Sequence, residues 1–334
     1  MSSDQPPSTS DSSVNDGSDT RDPSAFQAGN PATVDELSQH PVQSTSDIKP
    51  RLWTVLLTMF SATLAYVVVS TVCLVIAIAI AAATSGGDAS KKSTEELMTV
   101  VFTQPASVIF LLVPAHIAIL AIAIFAAVLS PSPFASRLSL TRPSWPWWAT
   151  VAAVLAAPFG SFLWSMLLSQ FVESNQYMEM MVTMFRSTTD GFGIGVSLLC
   201  IAALPAFSEE WLFRGYVQTR LAQRWSPWLA ILVSSLLFAV FHLDPVHVIA
   251  VFPIGLWFGY ISWRSGSIIP AMLAHAYNNS LSLIGVVYDQ TDALDTSMAS
   301  FSNQLIVFLG LPGLLVFIGY LIASRKGLWK TGHA

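Results

Sequence analysis

Charged residues are scarce in this chain of 334 residues: only 10% are charged, whereas 53% are hydrophobic. A soluble domain carries about 25% charged residues. The composition therefore excludes an ordinary soluble globular protein and predicts a polytopic membrane protein, with the lipid bilayer as its environment. Cysteine is also scarce, and Cys73 and Cys200 both lie inside apolar segments. They indicate small buried side chains rather than a redox site.

Several functional signatures are missing as well. The sequence contains no nucleotide-binding loop, haem motif or basic patch for nucleic acid, so we expect no nucleic-acid partner. No basic segment followed by a short apolar segment opens the chain, and a signal peptide is not predicted. Residues 1–47 are rich in Ser, Asp, Pro, Thr and Gln, which predicts a disordered polar tail. Residues 48–334 form the predicted transmembrane domain.

Apolar runs close to the length that spans a hydrocarbon core, about 20 residues, recur along the rest of the chain. They predict an all-α polytopic membrane protein with about eight transmembrane helices, whose functional site forms between helices. Residues 173–190 carry methionines at helical spacing beside polar residues and predict an interfacial amphipathic helix. The predicted spans cover residues 52–83, 105–129, 147–171, 192–220, 227–242, 246–263, 268–288 and 304–323.

The distribution of Lys and Arg in short loops and at span ends predicts the orientation. If the N-terminus is inside, the predicted cytoplasmic segments hold ten of these residues and the external segments hold three, Lys91, Lys92 and Arg186. This bias, together with an even number of spans, predicts that both termini are cytoplasmic.

Ionisable side chains inside the apolar spans are the candidates for function, because each costs about 2.5–3.5 kcal/mol to insert. Glu209 and Glu210 are adjacent, and Arg214 follows Glu210 at the i+4 position, where the two side chains can pair. His242 and His275 lie on later apolar segments. Asn279 shares a helix face with His275, since it follows at i+4.

Helix rise gives the depth of these residues. Glu209 and His242 both lie about 25 Å from the turn at Ser226, at about 1.5 Å per residue. His275 lies only about 14 Å from the same side on an upright helix. A common site therefore requires helix tilt, a break at Pro253 or Pro270, or different bounds for the spans.

Three motifs in order along the chain resemble the signature of the CPBP intramembrane proteases. This family, also called the abortive-infection family, includes the type II CAAX prenyl endopeptidases and bacterial bacteriocin-processing and immunity proteins. The resemblance covers about residues 192–283 and predicts a protease-like core there. The motifs are Glu209-Glu210-xxx-Arg214, Phe238-xxx-His242 and His275-xxx-Asn279.

The resemblance implies an intramembrane endopeptidase that hydrolyses a membrane-associated peptide or protein with a water activated by glutamate. Glu209 is then the general base, His242 assists water activation, and His275 and Asn279 donate to the oxyanion. Glu210 and Arg214 support the helix and tune Glu209. The family's bacteriocin-type members and the Ser/Asp-rich tail favour a bacterial plasma membrane.

Two alternatives remain open at this stage. Glu209, His242 and His275 have the residue types of a catalytic zinc site, although the sequence has no His-Glu-x-x-His motif and our expectation is no cofactor. The buried charges could also serve a transporter or a non-catalytic membrane scaffold or immunity protein. The first spans carry no matching motif, which argues against the inverted repeats of transporters.

Other polar or aromatic residues near the motifs have structural interpretations. His116, beside Pro114, is expected to bond a neighbouring helix. His247 is expected at the interface, and Phe238 is a packing position. Asp244, which precedes Pro245, fits either a turn residue or a partner that orients His242.

Overall fold

The computed structural model describes residues 51–84, 92–173, 175–288 and 300–326, and these ranges contain helices but no strand. The all-α prediction is thereby confirmed. The predicted polar tail, residues 1–47, lies outside the described residues.

Ten helices are distinguished within the described ranges. The sixth is a continuous helical run in which α-helical and π-helical segments alternate. In chain order the helices are α1 (Trp53–Thr84), α2 (Thr94–Phe102), α3 (Ser107–Val128), α4 (Phe134–Arg137), α5 (Trp147–Leu168), α6 (Gln176–Ala222), α7 (Pro227–Val240), α8 (Pro245–Ser265), α9 (Ile269–Tyr288) and α10 (Phe301–Arg325).

Six of these helices, α1, α3, α5, α6, α8 and α10, are long and apolar enough to cross a membrane. Each of the eight predicted spans corresponds to a helix, but two fall short of this standard. Helix α7 has only 14 residues. Helix α9 has 20 residues, but His275, Asn278 and Asn279 reduce its apolar character. The structure therefore supports a polytopic membrane protein without fixing the count at eight.

Helix α6 joins two elements that the sequence predicts separately. The amphipathic segment beginning at Gln176 continues into the fourth span as one run of 47 residues. The run is kinked at Gly193, whose φ of 79° lies in the region that glycine adopts without steric cost. The kink lets the chain change direction without a separate loop.

The interior of the helical assembly is built around α6. Leu212, Phe213 and Val217 are fully buried and pack in one cluster with residues of α1, α3 and α7. Large apolar side chains such as Leu56, Phe60 and Phe308 point outward and are exposed. An apolar outer surface of this kind suits contact with lipid.

Candidate active site

The adjacent acids occupy the end of a short α-helical segment, Leu204–Glu210, inside α6. π-helical segments flank it on both sides, Leu198–Ala203 and Trp211–Gln218. Such widened turns are frequent at functional sites, because they change which side chains face a neighbouring helix. Glu209 is 7% exposed and Glu210 is fully buried.

Glu210 and Arg214 form the ion pair expected from their spacing. Nη1 of Arg214 donates to Oε1 of Glu210 at 2.8 Å, and Nη2 donates to the carbonyl of Gly255 at 2.9 Å. The guanidinium lies 4.4 Å from the ring centroid of Phe238, so this packing residue also stabilises the cation. A Cβ at Gly255 would lie 3.1 Å from the Phe238 ring, which shows how closely α8 approaches here.

His275 connects the two acids from α9. Its Nδ1 lies 2.9 Å from Oε1 of Glu210, and its Nε2 lies 4.0 Å from Oε2 of Glu209. The ring stacks on Phe258 at a centroid distance of 4.9 Å. Because a carboxylate only accepts, Nδ1 of His275 carries a hydrogen.

The depth difference predicted for His275 is closed without a helix break. Helix α8 runs continuously through Pro253, and Pro270 lies in the first turn of α9. The prediction of a helix break at Pro253 or Pro270 is therefore wrong. Pro270 causes little disruption, because it lies in the first turn, where the backbone N–H has no helical partner.

His242 follows the end of α7 rather than lying within the helix, and Leu243 after it has a φ of 61°. Nδ1 of His242 lies 3.0 Å from the Phe238 carbonyl. A carbonyl only accepts, so Nδ1 carries the hydrogen and Nε2 of the neutral ring is an acceptor. The ring of His242 lies 5.1 Å from the ring of Phe238, which in turn lies 5.8 Å from the ring of His275.

Asn279 lies one turn after His275 but contacts a different part of α6. Its amide donates to the carbonyl of Ile201 at 3.4 Å, and its Oδ1 accepts from Asn278 at 3.4 Å. Both bonds are long, so they hold the side chain weakly. The structure thus brings Glu209, Glu210, Arg214 and His275 together, while Asn279 contacts α6 at Ile201, eight residues before Glu209.

The residue that the sequence analysis placed outside the site is His116 on α3. Its Nε2 lies 3.2 Å from Oε1 of Glu209, and its Nδ1 lies 2.9 Å from the carbonyl of Leu112. The expectation that His116 bonds a neighbouring helix agrees with this contact, but the partner is the candidate base. The signal in the sequence is an ionisable side chain in the middle of an apolar span.

His116 and Glu209 together must hold one proton more than a neutral imidazole and a carboxylate provide. Both ring nitrogens face acceptors, the Leu112 carbonyl and the Glu209 carboxylate. A neutral imidazole has one N–H. The additional proton therefore lies either on Nε2 of His116 or on Oε1 of Glu209, and in both cases it lies between the two residues.

Several buried polar atoms at the site have no hydrogen-bond partner. Among the described residues these include Oε2 of Glu209, Oε2 of Glu210 and Nε of Arg214. Buried unsatisfied atoms are rare and often mark a catalytic site. Oε2 of Glu209 is the one that faces an imidazole, His275, across 4.0 Å.

The neighbouring polar residues have mainly structural contacts. Asp244 caps α8, since its Oδ1 accepts from the backbone of His247 at 2.8 Å, and its Oδ2 accepts from Asn175 at 2.6 Å. This supports the turn interpretation of Asp244. The ring of His247 lies 4.5 Å from the ring of His242, so His247 lines the site at its edge.

The arrangement of side chains bears on metal coordination. Across the described ranges, no group of three or more His, Cys, Asp or Glu side chains is placed to hold a metal ion. Glu209 and His275, two of the three candidate zinc ligands, lie 4.0 Å apart, but His275 already binds Glu210 through Nδ1. A carboxylate on the second nitrogen is also common for zinc-bound histidines, so chelation remains a direct test.

Comparison with known proteins identifies the region that carries these residues. Residues 192–281 match the family model described as type II CAAX prenyl endopeptidase Rce1-like. The matched segment contains all seven residues named in the three motifs, and the predicted family resemblance is confirmed. No curated protein and no solved structure was found to match the chain. The family match and the apolar helices together indicate an integral membrane protein.

Proposed function

We propose that this protein, whose residues 192–281 are of the type II CAAX prenyl endopeptidase Rce1-like family, is an intramembrane endopeptidase. One observation carries the proposal: Oε2 of buried Glu209 has no partner and faces Nε2 of His275 from another helix at 4.0 Å. A water hydrogen-bonded to both atoms at about 2.8 Å would make an angle of about 90° between them. That water is the nucleophile.

Glu209 acts as the general base in this mechanism. Its Oε2 takes a proton from the water as the oxygen attacks the peptide carbonyl, and it gives that proton to the amide nitrogen as the C–N bond breaks and the amine leaves. His116 positions the carboxylate through Oε1, and the proton between them is held on Nε2 of His116, which leaves Glu209 ionised. His242, with its acceptor nitrogen Nε2, assists by orienting the same water.

As the water oxygen attacks, the Nε2–H of His275 shifts from the water to the oxyanion that forms on the peptide carbonyl, and Asn279 also donates to that oxyanion. This role requires a hydrogen on Nε2 of His275 as well as the one that Nδ1 donates to Glu210. Glu210 and Arg214 fix the ring, because the Glu210 carboxylate binds both the guanidinium and the imidazole. We assign Asn279 the smaller contribution to oxyanion stabilisation, since its amide donates to the Ile201 carbonyl in this structure.

The proposed substrate is a membrane-associated peptide or protein segment, and a prenylated CAAX peptide is one candidate within that class. We further propose that α7 and α9 also cross the bilayer. This gives eight spans, with both termini in the cytoplasm of a bacterial cell. The proposed mechanism uses no cofactor. In the alternative mechanism, a zinc ion is held by Glu209, His242 and His275. A non-catalytic scaffold or a transporter remains the competing function.

The experiment is product analysis with the purified full-length protein in nonionic detergent. Two matched peptide libraries, farnesylated and unprenylated, are incubated with it and the products identified by mass spectrometry. An endopeptidase yields defined cleaved products that are absent with Glu209→Gln. A scaffold or transporter yields no cleaved product from either library, and this outcome would overturn the proposal.

A further inference from the structure

A pair of arginines away from the active site is buried without a counterion. Arg137 ends α4 and is 4% exposed, and Arg220 lies in the last turn of α6 and is 6% exposed. Charged side chains are seldom buried this deeply unless they are paired. The burial of this arginine pair therefore calls for a functional explanation, as the buried charges of the active site do.

The two guanidinium groups are held by hydroxyls from the ends of other helices. Arg220 donates to Oγ1 of Thr54 at 2.8 Å and to Oγ of Ser130 at 3.0 Å. Arg137 donates to Oγ of Ser132 at 2.6 Å. Thr54 is at the start of α1 and Ser130 follows the end of α3. The group therefore lies where helices end, at the expected membrane boundary.

Three guanidinium nitrogens in this pair have no partner, Nε and Nη1 of Arg137 and Nε of Arg220. Within the described residues neither arginine forms an ion pair with a carboxylate. Burial, and then the charge of Arg220, lowers the pKa of Arg137. Two like charges in one buried group destabilise each other, so an anion between them would be strongly favoured.

We propose that Arg137 and Arg220 form a binding site for a phosphate group, borne by a membrane lipid or present as the free ion. Three N–H-bearing nitrogens without a hydrogen-bond partner, two on Arg137 and one on Arg220, match the several oxygens of a phosphate. The Ser130 hydroxyl, which accepts from Arg220, can donate its own hydrogen to the same group. The position at the helix ends favours the phosphate of a lipid headgroup.

Access to the site requires movement of the segment between α3 and α4. Ser132 lies in this segment between two exposed prolines, Pro131 and Pro133, and its hydroxyl accepts from Arg137. A phosphate oxygen would replace that hydroxyl as the acceptor. The Pro133 carbonyl accepts a helical hydrogen bond from the backbone N–H of Arg137 at 2.8 Å, so the movement is confined to Pro131 and Ser132 and leaves the helices intact.

The test measures thermal unfolding of the full-length protein in dodecyl maltoside, a detergent without phosphate. Inorganic phosphate is compared with chloride at equal ionic strength, and phosphatidylglycerol is compared with diacylglycerol. Binding to the folded state should raise Tm saturably by about 3 °C or more. A rise with phosphatidylglycerol alone assigns a lipid, and a rise with both assigns the phosphate group itself. No rise in either arm overturns the proposal.

Variants connect any rise to the arginine pair. Arg220→Gln and Arg137→Gln should each abolish it, and Arg220→Lys, which keeps the charge but loses the fork, should weaken it. Arg142→Gln is the matched control, because Arg142 is exposed in the connection that follows α4 and should leave the rise unchanged. A rise that persists in both Gln variants would also overturn the proposal. The readout does not depend on the proposed peptidase activity.

Discussion

Replacing His116 tests the part of the site that the sequence motifs do not contain. Nε2 of His116 is the only hydrogen-bond partner of Oε1 of Glu209 in the described structure, and Oε2 has none. In His116→Ala the carboxylate loses this partner while it remains buried. A hydrogen bond to a charged group contributes about 1.5–3 kcal/mol, which corresponds to about a 10- to 150-fold fall in kcat.

The assay is steady-state cleavage of a peptide that the wild-type protein cleaves, with folding of each variant checked by Tm. KM should change little, because His116 contacts Glu209 rather than the proposed substrate position. His116→Gln should recover most of the rate, since an amide N–H can donate to Oε1 in place of Nε2. Ser208→Ala is the matched control, because the buried Ser208 hydroxyl donates only within its own helix. If folded His116→Ala kept a kcat within about twofold of wild type, the reasoning would be refuted.

Three further predictions follow from other parts of the structure. Asn279→Ala should lower kcat by about 10- to 100-fold with little change in KM if the amide donates only to the oxyanion, and an unchanged kcat would remove Asn279 from the site. Prolonged chelation should leave the peptidase activity unchanged, and the zinc content of the protein should be the same before and after it. Joint loss of zinc and activity would instead make His242 and His275 metal ligands. Gly313→Ala should lower Tm, because a Cβ there would lie 2.9 Å from Cβ of Leu155 and 3.0 Å from the Ala152 carbonyl. Overpacking of this kind costs about 1–3 kcal/mol. Gly319→Ala is its control, since nothing lies within 4 Å of that position, and equal Tm values for the two variants would contradict the proposed close contact of α5 with α10.

The sequence predicts the helical class and most helix positions because the signal is local. Apolar runs such as residues 52–83 stand out without any knowledge of their neighbours, and the structure has α1 at Trp53–Thr84. The count of spans is less secure, because α7 is short and α9 is polar. The continuity of α6 across Gly193 also could not be predicted, since a kink and a loop have similar local sequences.

The candidate site is only partly local. Glu210 and Arg214 are four residues apart, so helix geometry alone predicts their ion pair. The contact of His275 with both acids depends on how α9 packs against α6. The estimate for upright helices instead places His275 and Glu209 at different depths. The contact of His116 with Glu209 joins residues 93 positions apart. No spacing rule connects them, and only the packing of α3 against α6 brings them together.

The central claim is that Glu209 removes a proton from the attacking water, and cleavage by Glu209→Gln tests it most directly. The variant keeps the shape of the side chain and loses its basicity. It should remain folded, with a Tm near that of wild type, and form no product from a peptide that the wild-type protein cleaves. A folded Glu209→Gln variant that kept more than about a tenth of the wild-type rate would contradict the claim. Its activation barrier would then have risen by less than about 1.4 kcal/mol.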